Sequence, residues 1–132
     1  GLMFHTIGQR QGLGIGGRRE GSGEPWYVAD KDMERNALIV VQGRDHSALF
    51  HRRLRAVAPH WVVGEPPTTP WPCQARIRYR QPDQSCVLER LDADALDVGF
   101  IEPQWAIAPG QSVVFYRDDV CLGGGIIAAA YD

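Results

Sequence analysis

Five small constellations in the chain have residue types that can do chemistry. GLGIGG, from Gly12 to Gly17, fits the dinucleotide fingerprint G-x-G-x-x-G. That fingerprint binds a pyrophosphate only where a strand runs into it and a helix starts at its end, because the free N–H groups of the helix N-terminus hold the phosphates. Here it is followed by Gly21, Gly23 and Pro25, which will not sustain a helix, so the glycines read as a loop between extended segments. His46 and His51 have no carboxylate or cysteine at a ligand spacing, which favours solvated or capping roles over a metal site. Asp118-Asp119 is a hairpin turn before it is a carboxylate dyad. Cys73, Cys86 and Cys121 form no C-x-x-C pair and are odd in number, as expected of free, buried thiols and not of a disulfide framework or zinc site. No nucleophile, base and orienting group assemble, so no catalytic, cofactor-binding or metal-ligating residue is assigned.

The fifth constellation is CQARIRYRQ. Strand alternation would place Cys73, Ala75, Ile77 and Tyr79 on one face, and Gln74, Arg76, Arg78 and Arg80 on the other. Arginines two residues apart on a strand are spaced by about 6.6 to 6.8 Å. Guanidinium forks at that spacing suit successive phosphates. Charge is uneven around this strip. From Arg76 to Arg90 four arginines stand against Asp83 and Glu89, whereas from Leu91 to Asp132 Arg117 alone stands against seven acidic residues. Contact with a polyanion is therefore local, with weak long-range attraction.

The elements that must position these residues are strands. Hydrophobic residues make up 44% of the 132, enough for a core, and 15 glycines and 9 prolines punctuate short runs rich in aromatic and β-branched residues. GLMFHTIGQR is extended in character and starts without a polar lead-in, as a fragment would. PWYVADKD and NALIVVQG read as an antiparallel pair with Asn36 near the turn, and DHSALF as one helical turn with Asp45 or Ser47 as N-cap. From Arg53 onward come LRAVAPHWVV, a loop in which Pro66, Pro67, Pro70 and Pro72 forbid a central strand, then CQARIRYR, the QPDQ turn, SCVLERLD, ALDVGFIEP, the APGQ turn, SVVFYR, the Asp118-Asp119 turn and VCLGGGII. About six strands at this spacing predict a small antiparallel barrel, closed so that no edge is left exposed. The chain has no apolar run long enough to span a membrane and no basic leader before an apolar stretch, so the expected compartment is the cytosol.

In order along the chain, GLMFHTIGQRQGLGIGG, EPWYVADKD, NALIVVQGRDH, CQARIRYRQ and above all APGQSVVFYRDDVCLGGGII resemble the C-terminal portion of bacterial tRNA-specific 2-thiouridylases. The resemblance implies a mainly β chain: residues 1–52 as the end of a small central β-rich domain, and 53–132 as a six-stranded barrel like one found in translation elongation factors. The family uses ATP, with magnesium, to adenylate the wobble uridine of certain tRNAs. It then delivers sulfur from a cysteine persulfide supplied by a sulfur relay or cysteine desulfurase. Its SGG-x-DS pyrophosphate loop is absent from this sequence, and its catalytic cysteines would precede Gly1. The resemblance therefore implies a fragment, inactive alone, that positions tRNA without a cofactor of its own.

Three tRNA contacts carry over: Arg78 and Tyr79 from the RYRQ motif, and Gln111 from the PGQS turn. Arg76, Arg80, Arg10 and Lys31 are weaker candidates, from charge alone. Arg78 agrees with the basic face, whereas alternation turns Tyr79 inward, so that it reaches RNA only near a strand end or through its hydroxyl. A rival expectation is a protein-interaction barrel that docks a catalytic domain or a sulfur-relay partner.

Overall fold

The computed structural model describes residues 5–11, 23–62 and 64–132. The chain divides into two compact units, Gly1–Phe50 and His51–Asp132. In the first, β1 (Arg10–Gln11), β2 (Trp26–Asp32) and β3 (Ala37–Gln42) form a three-stranded antiparallel sheet in that order. Asp32 pairs with Ala37 across the β2–β3 turn. Asn36 closes that turn at φ 52°, a conformation its short polar side chain tolerates. Of the opening segment, only Arg10–Gln11 is strand among the described residues. The expected helical turn is a 3-10 turn over Ser47–Leu49. Its cap is His46 and not Asp45 or Ser47, since the imidazole accepts the Ala48 N–H.

The second unit is the closed barrel, with strand order β4-β7-β6-β5-β8-β9. The strands are β4 (Phe50–Trp61), β5 (Trp71–Arg76), β6 (Gln84–Leu91), β7 (Ala95–Trp105), β8 (Ser112–Arg117) and β9 (Val120–Tyr131). Inward positions alternate as period two demands: Cys73 and Ala75, Cys86 and Leu88, Leu96, Val98 and Phe100, Val113 and Phe115. Together with Leu54, Ala56 and Ile127 they fill the interior. Glycine admits β9 to its place. A Cβ at Gly124 would lie 2.5 Å from the Val113 carbonyl, and one at Gly123 would collide with the carbonyl of His60.

Strand limits differ from the sequence expectation at β5. The strand begins at Trp71 and so includes Pro72, whose ring is exposed opposite Val87. It ends at Arg76, because pairing to β8 stops at Arg76 with Val114 and pairing to β6 starts from Ala75 with Gln84. Residues beyond Arg76 have no partner strand and form a loop to Gln84. The inferred row of three arginines on one strand face thus reduces to Arg76, with Arg78 and Arg80 in the loop. Tyr79, expected to face inward, is 92% exposed.

Candidate nucleic-acid interface

Topology explains which loops meet. β5 and β7 are each antiparallel to β6, so their C-terminal ends share one end of the barrel. β8 is antiparallel to β5, so its N-terminus lies at that end too. The β5–β6 loop (77–83) and the β7–β8 connection (106–111) are therefore neighbours although they lie far apart in sequence.

The β7–β8 connection ends in a tight turn. Pro109 supplies the fixed φ of the second position and Gly110, at φ 91°, the positive φ of the third. The Gln111 N–H closes the turn on the Ala108 carbonyl at 3.2 Å. Two further backbone bonds of 2.8 Å, between Gly110 and Ile127 and between Ile127 and Gln111, pin the turn to β9. The Gln111 side chain is left exposed.

The β5–β6 loop is anchored by Arg78. One of its guanidinium nitrogens donates to the carbonyls of Trp105 and Ala106, and the group lies 5.1 Å from the centroid of the Trp105 ring. Arg76 bonds Asp83, which raises its pKa and keeps it charged, and its guanidinium lies 4.8 Å above the Tyr116 ring. Held this way, the loop and turn enclose a groove of about 340 Å³ lined by Arg76, Arg78, Tyr79, Gln111, Ser112 and Tyr116 among others.

The three residues carried over from the family pattern, Arg78, Tyr79 and Gln111, thus line one groove, and Arg76 joins them. Arg80 is exposed in the same loop but does not line it. Arg10 on β1 and Lys31 on β2 belong to the first unit and are not lining residues. Sequence reasoning missed Tyr116 and Ser112. Their signal was register, since Gln74 pairs with Tyr116 and Arg76 with Val114, which places β8 beside the basic strand.

The remaining candidates fall elsewhere. GLGIGG lies outside the described residues. Among the described residues no buried side-chain nitrogen or oxygen lacks a partner, and no group of three His, Cys, Asp or Glu could hold a metal. Asp118-Asp119 is the β8–β9 turn, with Asp118 at φ 53°. Cys73 and Cys86 are buried as expected, directly opposite each other with sulfurs 3.7 Å apart, whereas Cys121 is exposed. It stands near the start of β9. No helix among the described residues is long and apolar enough to cross a membrane.

Residues 51–127 match the aminomethyltransferase β-barrel domain, and residues 1–42 the tRNA methyl transferase PRC-barrel domain. The molecule is thus a pair of β-domains of the kind carried by tRNA-modifying proteins. Relatives named tRNA-specific 2-thiouridylase MnmA are 58% identical in Methylobacillus flagellatus over 98% of the chain, and 58% identical in a Marinomonas species over 100% of it. The Nitrosomonas europaea relative of that name is 52% identical over 100% of the chain. The chain belongs to the tRNA-specific 2-thiouridylase family. It spans about a third of the length of these relatives, 36% and 34% of the first two.

Proposed function

We propose that this chain is the tRNA-positioning portion of an ATP-dependent sulfurtransferase that makes 2-thiouridine at the wobble position of tRNA in the cytosol. On this reading the two compact units are the end of the central domain and the complete C-terminal barrel. ATP with magnesium activates the uridine in the portion of the enzyme beyond this chain, where a cysteine desulfurase or sulfur relay also delivers sulfur. The residues here bind and orient. Arg76 and Arg78 make the groove cationic for the RNA backbone, and the Gln111 amide donates to phosphate or ribose oxygen. Tyr79 offers a free ring face to an unstacked base, the mode by which proteins grip single-stranded RNA.

The observation that carries this reading is the convergence of Arg78, Tyr79 and Gln111, from two separate loops, on one groove. A lost base–aromatic stack costs about 1–3 kcal/mol, so Tyr79→Ala should weaken tRNA binding by the full-length enzyme about 5- to 150-fold. Gln111→Ala should weaken it less, by about 0.5–1.5 kcal/mol for a neutral hydrogen bond. Unchanged affinity in both variants, measured by filter binding, refutes the assignment and favours a barrel that docks protein instead.

A further inference from the structure

Gln104 is the one buried polar residue among the described positions, 3% exposed. Inward positions earlier on β7 are apolar: Leu96, Val98 and Phe100. An amide at this place makes no contribution to an apolar core, and its hydrogen bonds show where it acts. The Ile77 N–H donates to Gln81 Oε1 at 3.0 Å, and Gln81 Nε2 donates to Gln104 Oε1 at 2.8 Å. Gln104 Nε2 donates to Gln84 Oε1 and to the Glu102 carbonyl, each at 3.1 Å. Gln84 Nε2 then donates to the Pro82 carbonyl at 3.1 Å. Three side-chain amides therefore run in one donor direction from the backbone of Ile77 to that of Pro82. They bracket Arg78, Tyr79, Arg80 and Gln81, with Gln104 as the hub.

We infer that Gln81 and Gln104 are positioning residues that fix the β5–β6 loop so that Tyr79 stands out of the barrel beside Gln111; the inference rests on the RNA reading of that groove. The loop has no partner strand and Arg78 ties it to β7 at one place, so without a second tether the ordering of its other residues on binding would offset part of Tyr79's stacking. The relay meets that cost on folding, before RNA arrives. An amide chain with a buried hub is suited to this, because each amide is held at both ends and a shift of the loop leaves the buried Gln104 amide unpaired.

The test compares Gln104→Leu and Gln81→Ala with Tyr79→Ala in the full-length enzyme, reading tRNA affinity. Gln104→Leu and Gln81→Ala should each raise the Kd about tenfold, the size of a lost stack. In the Tyr79→Ala background neither should add a further loss, because the residue they position is gone. A merely structural role would persist in that background and overturns the inference. So does unchanged affinity in both glutamine variants when Tyr79→Ala alone is weak. Unchanged affinity in Tyr79→Ala itself overturns the inference, and unchanged affinity in Gln111→Ala as well removes the RNA reading with it. Should Gln104→Leu fail to fold, Gln81→Ala decides, since it breaks the same relay from the half-buried loop side.

Discussion

At the scale of single residues, the groove is built by side chains whose partners lie on the barrel itself. Arg78 is half-buried and turned back onto two carbonyls, so it shapes the loop as well as charging it. Tyr79 beside it has no such tether and is almost wholly exposed. The cysteines show the opposite extremes on neighbouring scaffolding. The hydrogen bond to Cys73, and then burial, push the Cys86 thiol well above its ordinary pKa, while Cys121 is exposed on β9. Thiolate, not thiol, is the reactive form, and access is needed as well. A thiol reagent at neutral pH should therefore label one cysteine, Cys121, in the native chain and all three after denaturation. Rapid native labelling of Cys73 or Cys86 would show that the barrel opens far more readily than its packing allows.

Elements depend on backbone fit. Gly124 pairs with Val114 on β8, and a methyl group there would press on the Val113 carbonyl at 2.5 Å. Gly124→Ala should destabilise the barrel by about 1–3 kcal/mol, as overpacking does, measured by urea unfolding; no loss would mean that the β8–β9 register differs. The β6–β7 turn is closed by Asp92, whose carboxylate accepts the Asp94 and Ala95 N–H groups at 2.9 and 2.8 Å and is held below its ordinary pKa by those bonds. A carboxylate lowered on folding stabilises above its unfolded pKa of about 3.9, and that contribution is lost as pH falls through the folded value. Stability should fall on acidification through this range, and less steeply in Asp92→Asn. Equal slopes would place the pH dependence on other carboxylates.

The same element scale explains what sequence could reveal. Cys73, Ala75 and Ile77 are buried as alternation requires, and the APGQ turn and the Asp118-Asp119 turn stand where glycine and aspartate chemistry puts them. Tyr79 was misread because alternation continues on paper as long as residue types allow, whereas a strand continues only while another strand bonds to it. The end of pairing at Arg76 is a property of β6 and β8, separated from it in sequence. Gln104 was missed for a related reason. The sequence expectation ends that strand with ALDVGFIEP at Pro103, and only the length of β7 to Trp105 brings the Gln104 amide against the glutamines of QPDQ.

For the whole molecule, charge sets the strength of any RNA complex. The net charge is −2, and the arginines near the groove are partly neutralised, Arg76 by Asp83. With two or three phosphates engaged and a slope of about −0.7 for each, the log–log salt dependence of tRNA binding by this chain should be no steeper than about −2. A much steeper slope would require a basic surface outside the groove. The most direct measurement is photo-crosslinking of the full-length enzyme to tRNA from p-benzoylphenylalanine placed at position 79, with Ile101, exposed on β7 and outside the groove, as the comparison site. The account predicts a tRNA adduct from position 79 and little or none from position 101. Adducts from position 101 with none from position 79 would contradict it.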